Sequence, residues 1–190
     1  MKYSLSFRIW HWFNAFVVFG LLATVFLRKT FLSWRTNSEI IVNQLAAIDI
    51  EITTQSAKVI AKAIRAGMWE WHIILGYALV FSVVYRIALA LKDTSVKKSW
   101  NDLDTHKKLV RVSYYLFYLV LFIMSVSGFV IYFHETLGLS SEKAHDIKEM
   151  HEVLYNYVLL FVPLHIAGVV LAEVKDEQGI VSSMINGKEC

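Results

Sequence analysis

The chain is short of the residues that shape most soluble domains: it has one proline, one cysteine and eight glycines in 190 residues, and only 18% of its side chains are charged. The single cysteine, Cys190, excludes an internal disulfide framework and a cysteine-ligated cluster. A net charge of +3 without a basic stripe interleaved with aromatics argues against nucleic acid as a partner. No small-residue cleavage site follows the first apolar segment, so that segment reads as a retained span and not as a signal peptide. Apolar residues are abundant instead, at 56% with a mean hydropathy of +0.48. That is the composition of an integral membrane protein, and four spans would leave no room for a separate soluble catalytic domain.

Four segments, about 5–27, 69–91, 109–133 and 150–174, are each long enough to cross a hydrocarbon core of ~30 Å at ~1.5 Å per residue. The expected fold is all-α, a membrane four-helix bundle forming one domain over residues 1–190. Lys92, Lys97, Lys98, Lys107 and Lys108 crowd the connection between the second and third spans, with Arg86 and Arg111 just inside the flanking helices. The excess of basic residues places that connection in the cytoplasm, with both termini on the same side. The segment 37–66 is too polar to span, yet Ile41, Leu45, Ile48, Ile52, Val59 and Ala63 recur at helical intervals. This predicts one outer amphipathic helix, capped by Asn37 or Ser38 and ended by Gly67, either lying on the membrane lipid or offering a docking surface to a partner protein. Lys58, Lys62 and Arg65 leave that side with positive charge of its own.

Four of the seven histidines, His11, His72, His151 and His165, fall inside or at the start of spans. An unpaired imidazole in hydrocarbon costs several kcal/mol, so each needs a hydrogen bond, a ligand or water. A lone one is readily explained by a bond to a neighbouring helix; the set of four is not. His151 and His165 stand 14 residues apart, which returns them to nearly the same helix face with ~21 Å between them along the axis. His11 matches the depth of His165 on the inner side, and His72 that of His151 on the outer side. Two imidazoles facing each other at one level give a haem iron both axial ligands and favour electron transfer over oxygen chemistry. The expectation is therefore two haems, an inner one on His11 and His165 and an outer one on His72 and His151. Ala15, Gly76 and Gly168 sit on or beside the ligand faces, where a flat macrocycle needs room or where helices pack closely. Pro163 removes a backbone bond to Leu159 and predicts a kink between the sites. Arg8, three residues before His11, is placed either to pair with a haem propionate or to snorkel to the surface. His106, His134 and His145 read as solvated or interfacial.

The segments Phe7-Arg8-Ile9-Trp10-His11-Trp12, Trp71-His72-Ile73-Ile74-Leu75-Gly76, Ser127-Gly128-Phe129-Val130-Ile131-Tyr132 and His151-Glu152, with His165 and the ending Ser183-Met184-Ile185-Asn186-Gly187-Lys188, resemble the cytochrome b subunit of membrane-bound nickel-iron hydrogenases and the bacterial dihaem cytochromes b. The resemblance covers all four spans. It implies two haem b groups held by His11, His72, His151 and His165, and a place in the bacterial cytoplasmic membrane. It also implies a periplasmic redox partner, such as a hydrogenase-like small subunit or a c-type cytochrome, and exchange with quinone. The connection between the second and third spans is shorter than in the hydrogenase pattern, and the charged amphipathic segment before the second span departs from it. Glu70, Glu152 and His134 on the outer side and Glu173 and Lys175 on the inner side are the candidates for a quinone contact. Two further readings stand beside this one. The protein could act alone, oxidising a small donor such as superoxide with Lys58, Lys62 and Arg65 attracting the anion. Or it could be a haem-free transporter or sensor using its histidines for metal ions or protons, in which case they should gather round one midplane cavity.

Overall fold

The computed structural model describes residues 3–92, 101, 103–175 and 178–187; Lys97, Lys98, Lys188 and Cys190 lie outside them. Among the described residues six helices account for nearly all of the chain and no strand occurs. They are α1 Leu5–Lys29, α2 Trp34–Ala46, α3 Thr54–Lys92, α4 Thr105–Tyr132, α5 Ser141–Lys175 and α6 Ile180–Ile185. Four of them, α1, α3, α4 and α5, are long and apolar enough to cross a membrane.

The distribution of side chains is that of a body solvated by lipid. Large apolar residues stand exposed along the helices, with Phe16 at 72% and Phe81 at 64%, while Asn14, Thr24, Ser82 and Ser127 are buried. Water would penalise such a surface, whereas hydrocarbon penalises the hydroxyls and amides that the helices enclose.

Helix ends follow local chemistry. Asp104 caps α4 by accepting the backbone N–H of His106. Ser140 Oγ accepts the Lys143 N–H at the start of α5, which begins nine residues before the expected span because the polar segment from Ser141 continues the helix. α5 also runs unbroken through Pro163, where the missing N–H leaves the Leu159 carbonyl without its usual donor.

The segment expected to form one amphipathic helix over 37–66 does not. It is divided between α2 and the first turns of α3. Asp49 adopts the left-handed conformation, with φ 57°, and the Ile50 and Asp49 N–H groups bond the carbonyls of Leu45 and Ala46. That pair of bonds is a Schellman ending, which aspartate tolerates better than most side chains. Thr53 then caps α3, its Oγ1 accepting the Ser56 N–H at 3.1 Å. Neither Asn37 nor Ser38 is a cap, since both lie within α2, and Gly67 lies inside α3 without ending it. A lone glycine costs a helix only ~1 kcal/mol, too little to stop one that is favoured on both sides.

The chain divides into two compact units. The first holds residues 1–15 and 78–190, the second residues 16–77. Within the first, Trp10 Nε1 donates to the Ser82 carbonyl at 2.9 Å and Ser82 Oγ bonds Asn14 Oδ1 at 2.8 Å, tying the start of α1 to α3. Within the second, Gly20 lets α1 approach Leu75 of α3, whose Cδ1 would stand 2.9 Å from any Cβ placed there.

Candidate cofactor site

His11 of α1 and His165 of α5 face each other in the first unit, their ring centroids 6.3 Å apart and their planes inclined by 55°. His165 is held by its neighbours. Phe161, one turn earlier on α5, stacks parallel to it at 5.8 Å, Phe117 of α4 backs Phe161 at 4.0 Å, and Tyr114 meets it edge-on at 5.8 Å. His11 meets Trp12 edge-on at 5.3 Å, and its Nδ1 is buried with no hydrogen-bond partner among the described residues.

The pair suits a haem iron. A metal–imidazole bond of ~2.0–2.1 Å, with about 1.1 Å from nitrogen to ring centre, taken on both sides of one ion, separates the ring centres by ~6.3 Å. Among the described residues no three of His, Cys, Asp and Glu gather round a common point. A bare ion needs such a cage, whereas a porphyrin supplies four of its iron's ligands and asks the protein for only two.

Arg8 stands one turn before His11, and its Nε and Nη1 are buried without a hydrogen-bond partner among the described residues. A guanidinium so placed is matched by a carboxylate, and a haem propionate is one. The guanidinium packs against Gly187, whose φ of +76° and lack of a side chain both matter, because a Cβ would collide with Arg8 Nη1. Trp12 Nε1 donates to the Met184 carbonyl at 3.2 Å. The Met184-to-Gly187 ending therefore braces the two residues that flank His11 in space. Gly187→Ala combines a left-handed backbone, worth ~1–2 kcal/mol, with that collision. It is expected to lower the thermal unfolding midpoint by several degrees and to loosen the setting of His11; an unchanged midpoint would show that Arg8 moves aside freely.

His72 and His151 are held differently, each by a hydroxyl. In the first unit Ser127 Oγ lies 2.8 Å from His151 Nδ1 and 2.7 Å from the Ile123 carbonyl. In the second unit Thr24 Oγ1 lies 2.8 Å from His72 Nδ1 and 2.7 Å from the Leu21 carbonyl. A hydroxyl carries one proton, and a carbonyl can only accept. Both contacts are satisfied only if the hydroxyl donates to the carbonyl and accepts from Nδ1–H. That fixes the tautomer of each ring with its proton on Nδ1, the form in which an imidazole ligates a metal through Nε2. Gly128 completes the setting of His151, because a Cβ there would meet His151 Cε1 at 3.4 Å. Neither hydroxyl was singled out as functional in the sequence; the Ser127-Gly128 pair was part of the resemblance without an assigned role.

Among the remaining candidates, a Cβ at Gly76 or at Gly168 would meet nothing within 4 Å, so neither is a close-packing glycine. Glu173 serves the fold: its carboxylate accepts the Gly179 and Val181 N–H groups at 3.0 and 2.9 Å and so caps α6. His134 Nδ1 lies 3.0 Å from the Ile131 carbonyl of its own helix, and Glu152 lies 3.8 Å from Lys148 at a half-exposed position. Arg86, read from sequence as a topology signal, is enclosed by Phe7, Trp10 and Tyr118, with its guanidinium 4.9–5.4 Å from the three ring centres. Such an arginine is held by cation–π attraction.

A family model described as prokaryotic cytochrome b561 matches residues 2–187. Neither a curated protein nor a solved structure matches the chain significantly.

Proposed function

The chain belongs to the prokaryotic cytochrome b561 family, and we propose from that premise that it is a dihaem electron relay between a periplasmic redox protein and the quinone pool. Family and helices together make it an integral membrane b-type cytochrome of electron transfer. The observation that carries the dihaem reading is the separation of His11 and His165, which suits one iron. His165 and His151 share α5 with ~21 Å of helix between them, so a second iron on His151 sits at a different depth. His72 is the fourth ligand because its tautomer repeats that of His151.

When bound, each haem would supply a one-electron couple, held by the paired histidines. The chain's part is to orient and insulate. Phe161 and Tyr114 set the plane of His165, Thr24 and Ser127 set the rings of His72 and His151, and Arg8 would pair with a haem propionate beside His11. The apolar helix faces keep water from the path. Family membership supports a quinone partner without placing it, and Glu173 is engaged as the cap of α6.

The test is the purified full chain, expressed with ample haem. Its reduced-minus-oxidised spectrum should show b-type bands at two haems per chain by pyridine haemochrome assay. One haem per chain would defeat the dihaem reading, and a colourless protein would defeat the relay altogether.

A further inference from the structure

α3 is one continuous helix of 39 residues. At ~1.5 Å per residue it is ~58 Å long, nearly twice the ~30 Å hydrocarbon core. Its first 15 residues, before the tryptophan at 69, contribute ~22 Å, while each headgroup layer is only ~5–8 Å deep. The segment contains no proline, and Gly67 is flanked by Ala66 and Met68 with no glycine or serine next to it, so the usual causes of a sharp bend are missing there. Residues 54–68 therefore continue the axis of the span that follows and stand out of the membrane. They do not lie flat on its surface.

This projecting segment has three faces. Ala57, Ala61 and Met68 are buried within the second unit. Beside them Lys58 and Lys62 reach over the Trp34 ring of α2, at 5.8 and 5.7 Å from its centre, with Arg35 at 4.9 Å. The third face is apolar and bare: Val59 is 60% exposed, Ile60 42% and Ile64 56%, with Ala63 and Gly67 between them. Isoleucines and a valine on a helix held in water are unfavourable unless something covers them. An apolar centre bordered by cations is the anatomy of a protein interface.

We infer that residues 54–68, with Trp34 of α2, form the docking surface for a soluble protein whose contact patch is apolar at its centre and acidic at its edge. The inference rests on the relay reading for the partner being a redox protein. Residues 28–67 carry six cations, Arg28, Lys29, Arg35, Lys58, Lys62 and Arg65, against three acids, Glu39, Asp49 and Glu51. That excess attracts an acidic surface and steers its approach. A second copy is the poorer occupant. Two copies in one membrane pair about an axis along its normal, which sets Lys58, Lys62 and Arg65 at the same heights as their own counterparts.

The test uses the full chain in nanodiscs with Cys190→Ser and a fluorophore on Val59→Cys, Ile64→Cys or Phe81→Cys. Iodide should quench the first two and brominated lipid the third; quenching of the first two by brominated lipid would overturn the projection. Two soluble probes of similar size, an acidic flavodoxin and a basic c-type cytochrome, are then titrated against the Val59 label. The flavodoxin should raise its anisotropy, with affinity falling at least 10-fold in Lys58→Glu/Lys62→Glu, and the c-type cytochrome should not bind. Equal binding of both probes, no response to charge reversal, or energy transfer between labels of two copies at Val59 would each overturn the inference. These readouts need no haem, so a failure here leaves the haem count untouched, and a colourless protein leaves the docking result standing.

Discussion

Replacing His165 by alanine is expected to cut the haem content from two per chain to one, with loss of the spectral component that belongs to the inner site. The iron loses one of its two protein ligands, and His11 alone cannot keep it six-coordinate. The aromatic frame should survive the change, since Phe161 remains stacked on Phe117 at 4.0 Å and Tyr114 lies edge-on to Phe161 at 6.5 Å. The outer site should survive too, because His151 lies 14 residues earlier on α5 and is fixed by Ser127 and Gly128, which touch nothing at His165. His151→Ala is expected to do the reverse, removing the outer component alone. His11→Ala should match His165→Ala in both haem count and spectrum. If either inner variant kept both haems, or if the two inner variants removed different components, the pairing of His11 with His165 would be wrong.

The histidine-bearing helices were legible because helical periodicity and membrane burial act on the same residues. An imidazole in hydrocarbon needs a partner, and 14 residues is close to a whole number of turns, so His151 and His165 declare a shared face. Pairing His11 with His165 required only a depth argument, and the two rings do meet. The parts that were not legible depend on contacts between residues far apart in the chain. Nothing local marks Thr24 as the partner of a histidine 48 residues away, or Ser127 as that of one 24 residues away. Each is a hydroxyl that in isolation satisfies itself on its own helix backbone. A buried serine followed by glycine, facing a helix that carries histidine, is nevertheless a pattern the chemistry of metal-bound imidazole anticipates.

The break between α2 and α3 was hidden for another reason. Apolar residues keep their helical spacing through Ile48 and Ile52, so periodicity argues for continuity, while the chain actually turns at Asp49 with its φ of 57°. The energetic margin is small: a left-handed aspartate and two backbone bonds compete with one more helical turn. Periodicity does not weigh that competition. Its outcome matters, because ending α2 at Ala46 and restarting at Thr54 sets residues 54–68 in line with a span. A single helix over 37–66 would have been free to lie on the membrane.

Ser127→Ala is expected to weaken the outer haem by ~10–100-fold in affinity, the usual cost of removing a hydrogen bond from the second nitrogen of a ligating histidine. The His151 Nδ1–H then sits buried against apolar neighbours with no acceptor, and the ring loses the contact that holds its tautomer. It also becomes a poorer electron donor, since a hydrogen bond from Nδ1–H raises the basicity of the opposite nitrogen. The ferric form suffers more than the ferrous, so the outer midpoint potential should rise while the inner one stays in place. Ser127→Thr, which restores a hydroxyl, should reverse both changes. Thr24→Val carries the argument to the other ligand, His72, whose Nδ1 lies 2.8 Å from the Thr24 hydroxyl. If His72 and His151 hold the same iron, potentiometric titration must find Ser127→Ala and Thr24→Val moving one and the same transition upward. Two variants that moved two different transitions would assign His72 and His151 to separate irons, and the outer site would have to be rebuilt around other ligands.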